Sequence, residues 1–263
     1  GVREAGSVRV TQAYFQIAGG GNEERPIELT PETTLSLKEA YEYLSKQKGM
    51  PQVSYHRLPI ADESAPPPQI LTQLVEILRP VAVGEEKDTA LVFNCQMGRG
   101  RTTTGMVCAS IMLKAGRGWQ PAASAPTSLP SIDAASRELP KGEFLAVLHL
   151  CAALGEMAGH TSQTGLHAKL LADECIDDCA EVQNLAAAII ECKLSAAKAD
   201  PNSSRPPEFW LARSIKYLER YAFLVIFAAY ALEQASSGFG TPFDAWLRRH
   251  WQLRRTLTGI SLD

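Results

Sequence analysis

The sequence predicts an α/β fold with a helix-rich C-terminal half, and three observations carry that expectation. Strand-like and helix-like segments alternate through residues 1–115. Within them, the apolar run Thr89-Ala90-Leu91-Val92-Phe93-Asn94 feeds a glycine-bearing loop and then an apolar helix. Beyond residue 141 every patterned segment places apolar residues three and four apart, as a helix packed on one face requires.

Taken in order, residues 8–17 read as a strand, which Gly19-Gly20-Gly21-Asn22 breaks into a loop. A helix follows through Leu37, Ala40, Tyr41 and Leu44, with Thr33 or Thr34 as its cap and Gly49 as its stop. Residues 53–60 read as a short strand opening into a Pro-rich loop over 61–68, and Ile70, Leu74, Ile77 and Leu78 mark the next amphipathic helix. The strand over 89–94, the loop from Cys95 to Arg101 and the helix over 102–113 then come in the order an anion cradle requires. Residues 116–141 are rich in Pro, Ala, Ser and Gly and read as an exposed, flexible insertion. Helices are expected over 144–154, 173–193 and 208–234. A basic helix or helical turn over 243–257 carries Trp246, Trp251, Arg248, Arg249, Arg254 and Arg255. Its arginines form either a solvated face or a contact for acidic lipid or a partner.

With 263 residues, 45% of them hydrophobic, the chain can bury a large core, so residues 1–263 are expected to form one domain. Its parts are the loop-bearing segment 1–115, the insertion 116–141 and the helical half 142–263. The chain opens at Gly1, as a piece of a larger multi-module protein would, and as a chain that has lost its initiator Met would equally. Lys and Arg total 26 against 29 Asp and Glu, and a net charge of −3 gives no global attraction to nucleic acid or an acidic membrane. Any anion site must be local. The longest apolar run, 222–232, is far short of the roughly 20 residues that span a bilayer, so it reads as a buried helix and peripheral membrane contact is the most that is expected. Six cysteines without paired spacing, and no secretory leader pattern, predict reduced thiols and a cytoplasmic setting. No cofactor or metal is expected. Cys175 and Cys179 lie four apart on a helix, but nothing completes a ligand set, and buried structural thiols are the reading.

The chemistry sits in Cys95-Gln96-Met97-Gly98-Arg99-Gly100-Arg101-Thr102. Gly98 and Gly100 let the backbone curl so that successive N–H groups point inward, and the helix that follows adds its positive end. Such a hollow fits a phosphate dianion, lined by Gln96, Met97, Gly98, Arg99 and Gly100, and the same field lowers a thiol pKa. Cys95 is the candidate nucleophile. Arg101 offers a planar fork to two phosphate oxygens, and the Thr102 hydroxyl can donate to the sulfur. A departing alkoxide needs a proton, and Asp62, in the loop 33 positions before Cys95, is the candidate acid with Glu63 in reserve. Arg99 adds charge for a multiply phosphorylated ring, and His56 and Arg57 are candidates for the pocket rim, or for structural hydrogen bonds.

Tyr-x-Arg-x-Pro-Ile before the acid loop and Asn-Cys-Gln-Met-Gly-Arg-Gly-Arg-Thr-Thr-Thr-Gly at the nucleophile resemble the cysteine phosphatase superfamily, most closely its paladin-like and phytase-type members. So do Val182-Gln183-Asn184-Leu185 and Tyr217-Leu218-Glu219-Arg220-Tyr221 downstream. The resemblance extends along most of the chain. It implies a cysteine-phosphatase fold, with a central, mainly parallel sheet flanked by helices. It also implies a two-step phospho-cysteine mechanism on inositol phosphates or phosphoinositides, so the expected partner is a phosphorylated small molecule or lipid headgroup. Asn94 departs from the pattern, standing where many members carry a His that orders the loop. A protein tyrosine or dual-specificity phosphatase, and a pseudophosphatase that binds phosphorylated ligands without turnover, are the alternatives.

Overall fold

A computed structural model describes residues 6–14, 23–32, 34–86, 88–132, 137–157, 161–253 and 262. The chain divides into two units, Gly1–Arg57 and Leu58–Asp263.

In the first unit, β1 (Val8–Tyr14) pairs antiparallel with β2 (Glu23–Leu29), placing Val10 opposite Ile27. The glycine-rich loop expected over 19–22 lies outside the described residues. Sequence pattern gave no hint of β2, since Glu23-Glu24-Arg25-Pro26 lacks the apolar alternation of a strand. Pro26 is tolerated because a two-stranded sheet consists only of edges. Helix α1 (Leu37–Ser45) is capped by Ser36 instead of Thr33 or Thr34. Ser36 Oγ accepts from the Glu39 N–H at 3.3 Å, and the Glu39 carboxylate accepts from the Ser36 N–H at 2.8 Å, a reciprocal box that satisfies two orphan donors. The Tyr55 ring stacks on Tyr41 of α1 at 5.2 Å.

The second unit is helical throughout its regular structure. Helix α2 spans Pro68–Ala82, α3 Gly100–Gly116, α4 Leu145–Gly155, α5 Ser162–Asp178, α6 Ala180–Gln183, α7 Leu185–Lys198, α8 Pro207–Gln234 and α9 Phe243–Arg249. The single helix expected over 173–193 is broken between α5 and α7. There Asn184 turns extended and its side chain accepts from the Ala187 N–H at 2.8 Å, starting α7 afresh. Helix α8 is the axis of the core, packed on by α3, α4, α5 and α7, and the apolar run within it, Ala222 to Ala231, is almost wholly buried. Helix α9 closes one end with Phe243 and Trp246 packed against Tyr230, while Thr72 of α2 bonds the Asp244 carboxylate at 3.0 Å. Arg254 and Arg255 lie outside the described residues. No helix among the described residues is long and apolar enough to cross a membrane.

The expected central parallel sheet does not appear among the described residues, whose one sheet is the β1–β2 pair. The segments 53–60 and 89–94, both expected as strands, form no ladder. A strand persists only where a neighbour exchanges backbone hydrogen bonds with it. Residues 89–94 are held by side chains on one face instead. The Phe93 ring lies where a Cβ at Gly105 of α3 would stand, 2.7 Å from its Cδ1, whereas Val92 on the other face is 89% exposed.

Between α3 and the short helical turn Leu139–Lys141, the described residues carry no regular element. This segment is mostly exposed but pinned at its start, where Trp119 donates to Glu174 of α5 at 2.8 Å. Near its end, Lys169 of α5 reaches the Lys141 carbonyl at 3.2 Å and pairs with Asp173 at 2.6 Å inside the core.

Candidate active site

The loop between Phe93 and α3 is shaped by one left-handed residue. Gly98 sits at φ +70°, open to a glycine at no steric cost and strained for any other L-residue. Arg99 then takes the cap position of α3, its carbonyl accepting from the Thr103 N–H at 2.8 Å and the Thr103 hydroxyl at 2.9 Å. The Thr104 hydroxyl bonds the Gly100 carbonyl at 2.9 Å, so the first turn of the helix is tied from its buried side.

The curl gathers donors on Cys95. Burial by itself would push the thiol up, but the Thr102 hydroxyl and the backbone N–H groups of Thr102, Met97 and Arg99 outweigh it, and the pKa falls from 9.0 to about 6. The other five cysteines, Cys108, Cys151, Cys175, Cys179 and Cys192, are buried and unpaired, and burial moves each of their thiols the opposite way, Cys175 to about 12. Cys95 alone among the six is half-buried at a loop mouth. Around it Gln96, Met97, Gly98 and Arg99 are exposed, as is Asn94.

The acid loop comes to this mouth from the start of the unit. Asp62 Oδ1 lies 3.2 Å from Arg101 Nε, with the Asp62 side chain 68% exposed. Its neighbour Glu63 is held in the left-handed region, at φ +55°, and pairs with Arg213 of α8 at 2.7 Å. Asp62 is therefore brought to Arg101 and Thr102 to Cys95, while Glu63 is turned to α8. His56 and Arg57 belong to the first unit, where both are exposed.

Two residues with no role assigned by the sequence lie against the loop. Arg220 of α8 and Gln183 of α6 both face Gly100: a Cβ there would stand 3.1 Å from Arg220 Nη1 and 3.6 Å from Gln183 Oε1. They come from the two downstream strings, Val182-Gln183-Asn184-Leu185 and Tyr217-Leu218-Glu219-Arg220-Tyr221, which sequence reading marked without a function. A charge set inside an otherwise buried stretch of helix was the signal available for Arg220.

A thiolate ringed by amides at a helix N-terminus can bind an oxyanion and attack its central atom, and the same helix carries Arg101 with the Asp62 carboxylate 3.2 Å from it. Among the described residues no group of His, Cys, Asp or Glu is arranged to hold a metal ion.

A family model for PTP-like phytases, described as inositol hexakisphosphate, matches residues 9–113. Among curated proteins, paladin of Homo sapiens is 30% identical over 225 residues, covering 86% of this chain and 25% of the relative. Paladin of Gallus gallus is 32% identical over 196 residues, 74% of this chain and 21% of the relative. Paladin of Mus musculus is 32% identical over 200 residues, 74% and 22% of the two chains. The chain thus spans about a quarter of the length of these relatives. No solved structure matches it. With the loop, the family match and the relatives in agreement, the chain is paladin-like, a relative of the PTP-like cysteine phosphatases.

Proposed function

We propose that the chain is a cysteine-dependent phosphomonoester hydrolase acting on inositol phosphates or phosphoinositides, in a cytoplasmic setting. The observation that carries the reading is the loop geometry: Gly98 in the left-handed region curls the backbone so that the N–H groups of Met97, Arg99 and Thr102 turn to Cys95 where α3 begins, and that helix carries Arg101 in its first turn. At neutral pH such a cysteine is a thiolate, and the donors that stabilise it also suit a phosphate dianion. In the first step the Cys95 sulfur attacks phosphorus, the bond to the leaving oxygen breaks, and Asp62 gives that oxygen its proton. Arg101 holds two equatorial oxygens whose charge grows in the transition state. In the second step water attacks the phospho-cysteine, its proton passing back to the Asp62 carboxylate, and the sulfur–phosphorus bond breaks with the sulfur leaving as thiolate toward the Thr102 hydroxyl. Asp62 is favoured over Glu63 as the acid because its carboxylate lies 3.2 Å from Arg101, whereas Glu63 is turned to Arg213 of α8. Exposed Arg99 favours a substrate with several phosphates, and the description of the matching family model points the same way.

One observation favours a second reading, a binding module without turnover. Asn94 is exposed and leaves the loop without an ordering side chain at that position. The deciding experiment measures phosphate release from inositol phosphates, phosphoinositides and phosphotyrosine peptides by the parent chain and by Cys95→Ser. Release by the parent, lost in Cys95→Ser with phosphate binding retained, supports the hydrolase. Absence of release from every substrate, with no phospho-cysteine trapped on the parent, overturns it and leaves the binding module. Release only from phosphotyrosine would reassign the substrate class.

A further inference from the structure

Arg220 is 2% exposed. It makes no ion pair among the described residues, and its Nε and Nη1 have no hydrogen-bond partner. Lys169, the other cation in the core, is satisfied by Asp173 at 2.6 Å. A buried charge left unpaired costs stability, so a fold that keeps one calls for a counter-charge from outside the core. The surroundings indicate where it would come from.

The guanidinium lies across the Tyr217 ring, 5.1 Å from its centroid, and flush against Gly100, the first residue of α3 and part of the loop that curls round Cys95. A methyl at position 100 would stand 3.1 Å from Nη1, tight enough that the guanidinium would have to give by a few tenths of an ångström. Gln183 Oε1, buried without a partner, faces the same glycine. The space lined by Gly100, Thr103, Gln183 and Arg220 is about 10 Å³. That is room for roughly one water, far too little for a phosphate group. Arg220 therefore cannot be a second anion pocket, and its field reaches the loop through the backbone it backs.

We propose that Arg220, set against Gly100 with Gln183, is a positioning residue of the Cys95 loop: a buried cation whose charge is answered by the phosphate dianion that the loop takes up. This rests on the phosphate-site reading and adds a cation to it that does not touch the ligand. The carboxylates nearest to influencing Arg220 are Asp62 and Glu63 of the acid loop. Both are engaged elsewhere, Asp62 with Arg101 at 3.2 Å and Glu63 with Arg213 at 2.7 Å.

The experiment reads protection of Cys95 from iodoacetamide by rising concentrations of inorganic phosphate, together with the melting temperature. It needs no turnover. In Arg220→Met the half-protecting phosphate concentration is expected to rise on the order of tenfold, the effect of one charge at several ångströms in a partly screened interior. The melting temperature should hold or rise, since an apolar chain of similar length replaces an unpaired charge. Arg220→Lys should keep most of the protection, and Arg220→Gln repeats the uncharged test should the Met variant fail to fold. Undiminished protection in folded uncharged variants overturns the proposal. So does a fall in melting temperature that tracks the loss of protection and is shared by Arg220→Lys, which would make Arg220 a packing residue. A parent that phosphate does not protect would bring down the phosphate-site reading itself, and this inference with it.

Discussion

Replacing Thr102 by Val tests whether the electrostatics of the Cys95 loop are as the geometry describes them. The thiol falls from 9.0 to about 6 although burial opposes the change, and four donors bring it there: the Thr102 hydroxyl and the N–H groups of Thr102, Met97 and Arg99. A hydrogen bond to a charged group is worth about 1.5 kcal/mol or more, and about 1.4 kcal/mol moves a titration midpoint by roughly one pH unit. The hydroxyl is the largest lowering influence of the four, so its removal should carry the Cys95 midpoint from about 6 to about 7 or above. Val keeps the shape of Thr and leaves the three backbone donors in place. The assay is the iodoacetamide rate of the Cys95 peptide against pH, read by mass, with the buried cysteines as internal controls. At pH 6 the thiolate fraction should fall from about one-half to about one-tenth. The midpoint is the measure, because a more basic thiolate is also intrinsically more nucleophilic and lifts the plateau. An unmoved midpoint would refute the argument. A rate lowered by one factor at every pH would mean that access to the sulfur had changed and its ionisation had not.

Two further outcomes follow from the same geometry. Arg101→Lys should weaken phosphate protection of Cys95 and slow single-turnover release, the rate on the order of 10²-fold, because a point charge cannot reproduce two parallel bonds to the equatorial oxygens; loss of binding alone would make Arg101 a ground-state contact. Asp62→Asn should slow an inositol phosphate by on the order of 10² to 10⁴ in single turnover and an aryl phosphate much less, whereas Glu63→Gln, which removes the partner of Arg213, should slow both alike. The reverse pattern would move the acid to Glu63.

The helical half was legible because helix is a local decision. The three-and-four spacing of Tyr217, Tyr221 and Leu224 requires only that α8 exist, and the apolar stretch within it needed a core on every side. The break at Asn184 was missed because apolar periodicity runs through it, and the capping bond to Ala187 decides. Strands are not local. The run Leu91-Val92-Phe93 has the composition of a buried strand, yet without a ladder partner it packs by Leu91 and Phe93 on one face, while β2, too charged to be noticed, exists because β1 pairs with it. In the site, residues adjacent along the chain were readable: the glycines, Cys95, Arg101 and Thr102 form one continuous word. Arg213, Gln183 and Arg220 come from helices more than 80 residues downstream of Cys95, and only the fold shows which loop each one meets.

The pairing of Asp62 with Arg101 bears on how the site takes up its ligand. Asp62 is 68% exposed, and an ion pair that wet contributes between nothing and about 1 kcal/mol, so it cannot hold the clamp against a phosphate dianion. Nor must it leave altogether. A guanidinium has five N–H donors, and Asp62 lies 3.2 Å from Nε as an ion pair without a hydrogen bond to it, which leaves the two Nη groups for two phosphate oxygens. The carboxylate can then stay beside Arg101 while the Nη groups take an oxyanion. Its negative charge also stands near the incoming dianion, and the two repel. In Asp62→Asn that repulsion is gone. The variant that loses the acid should thus bind phosphate at least as tightly as the parent, separating the role in catalysis from the role in binding within a single substitution.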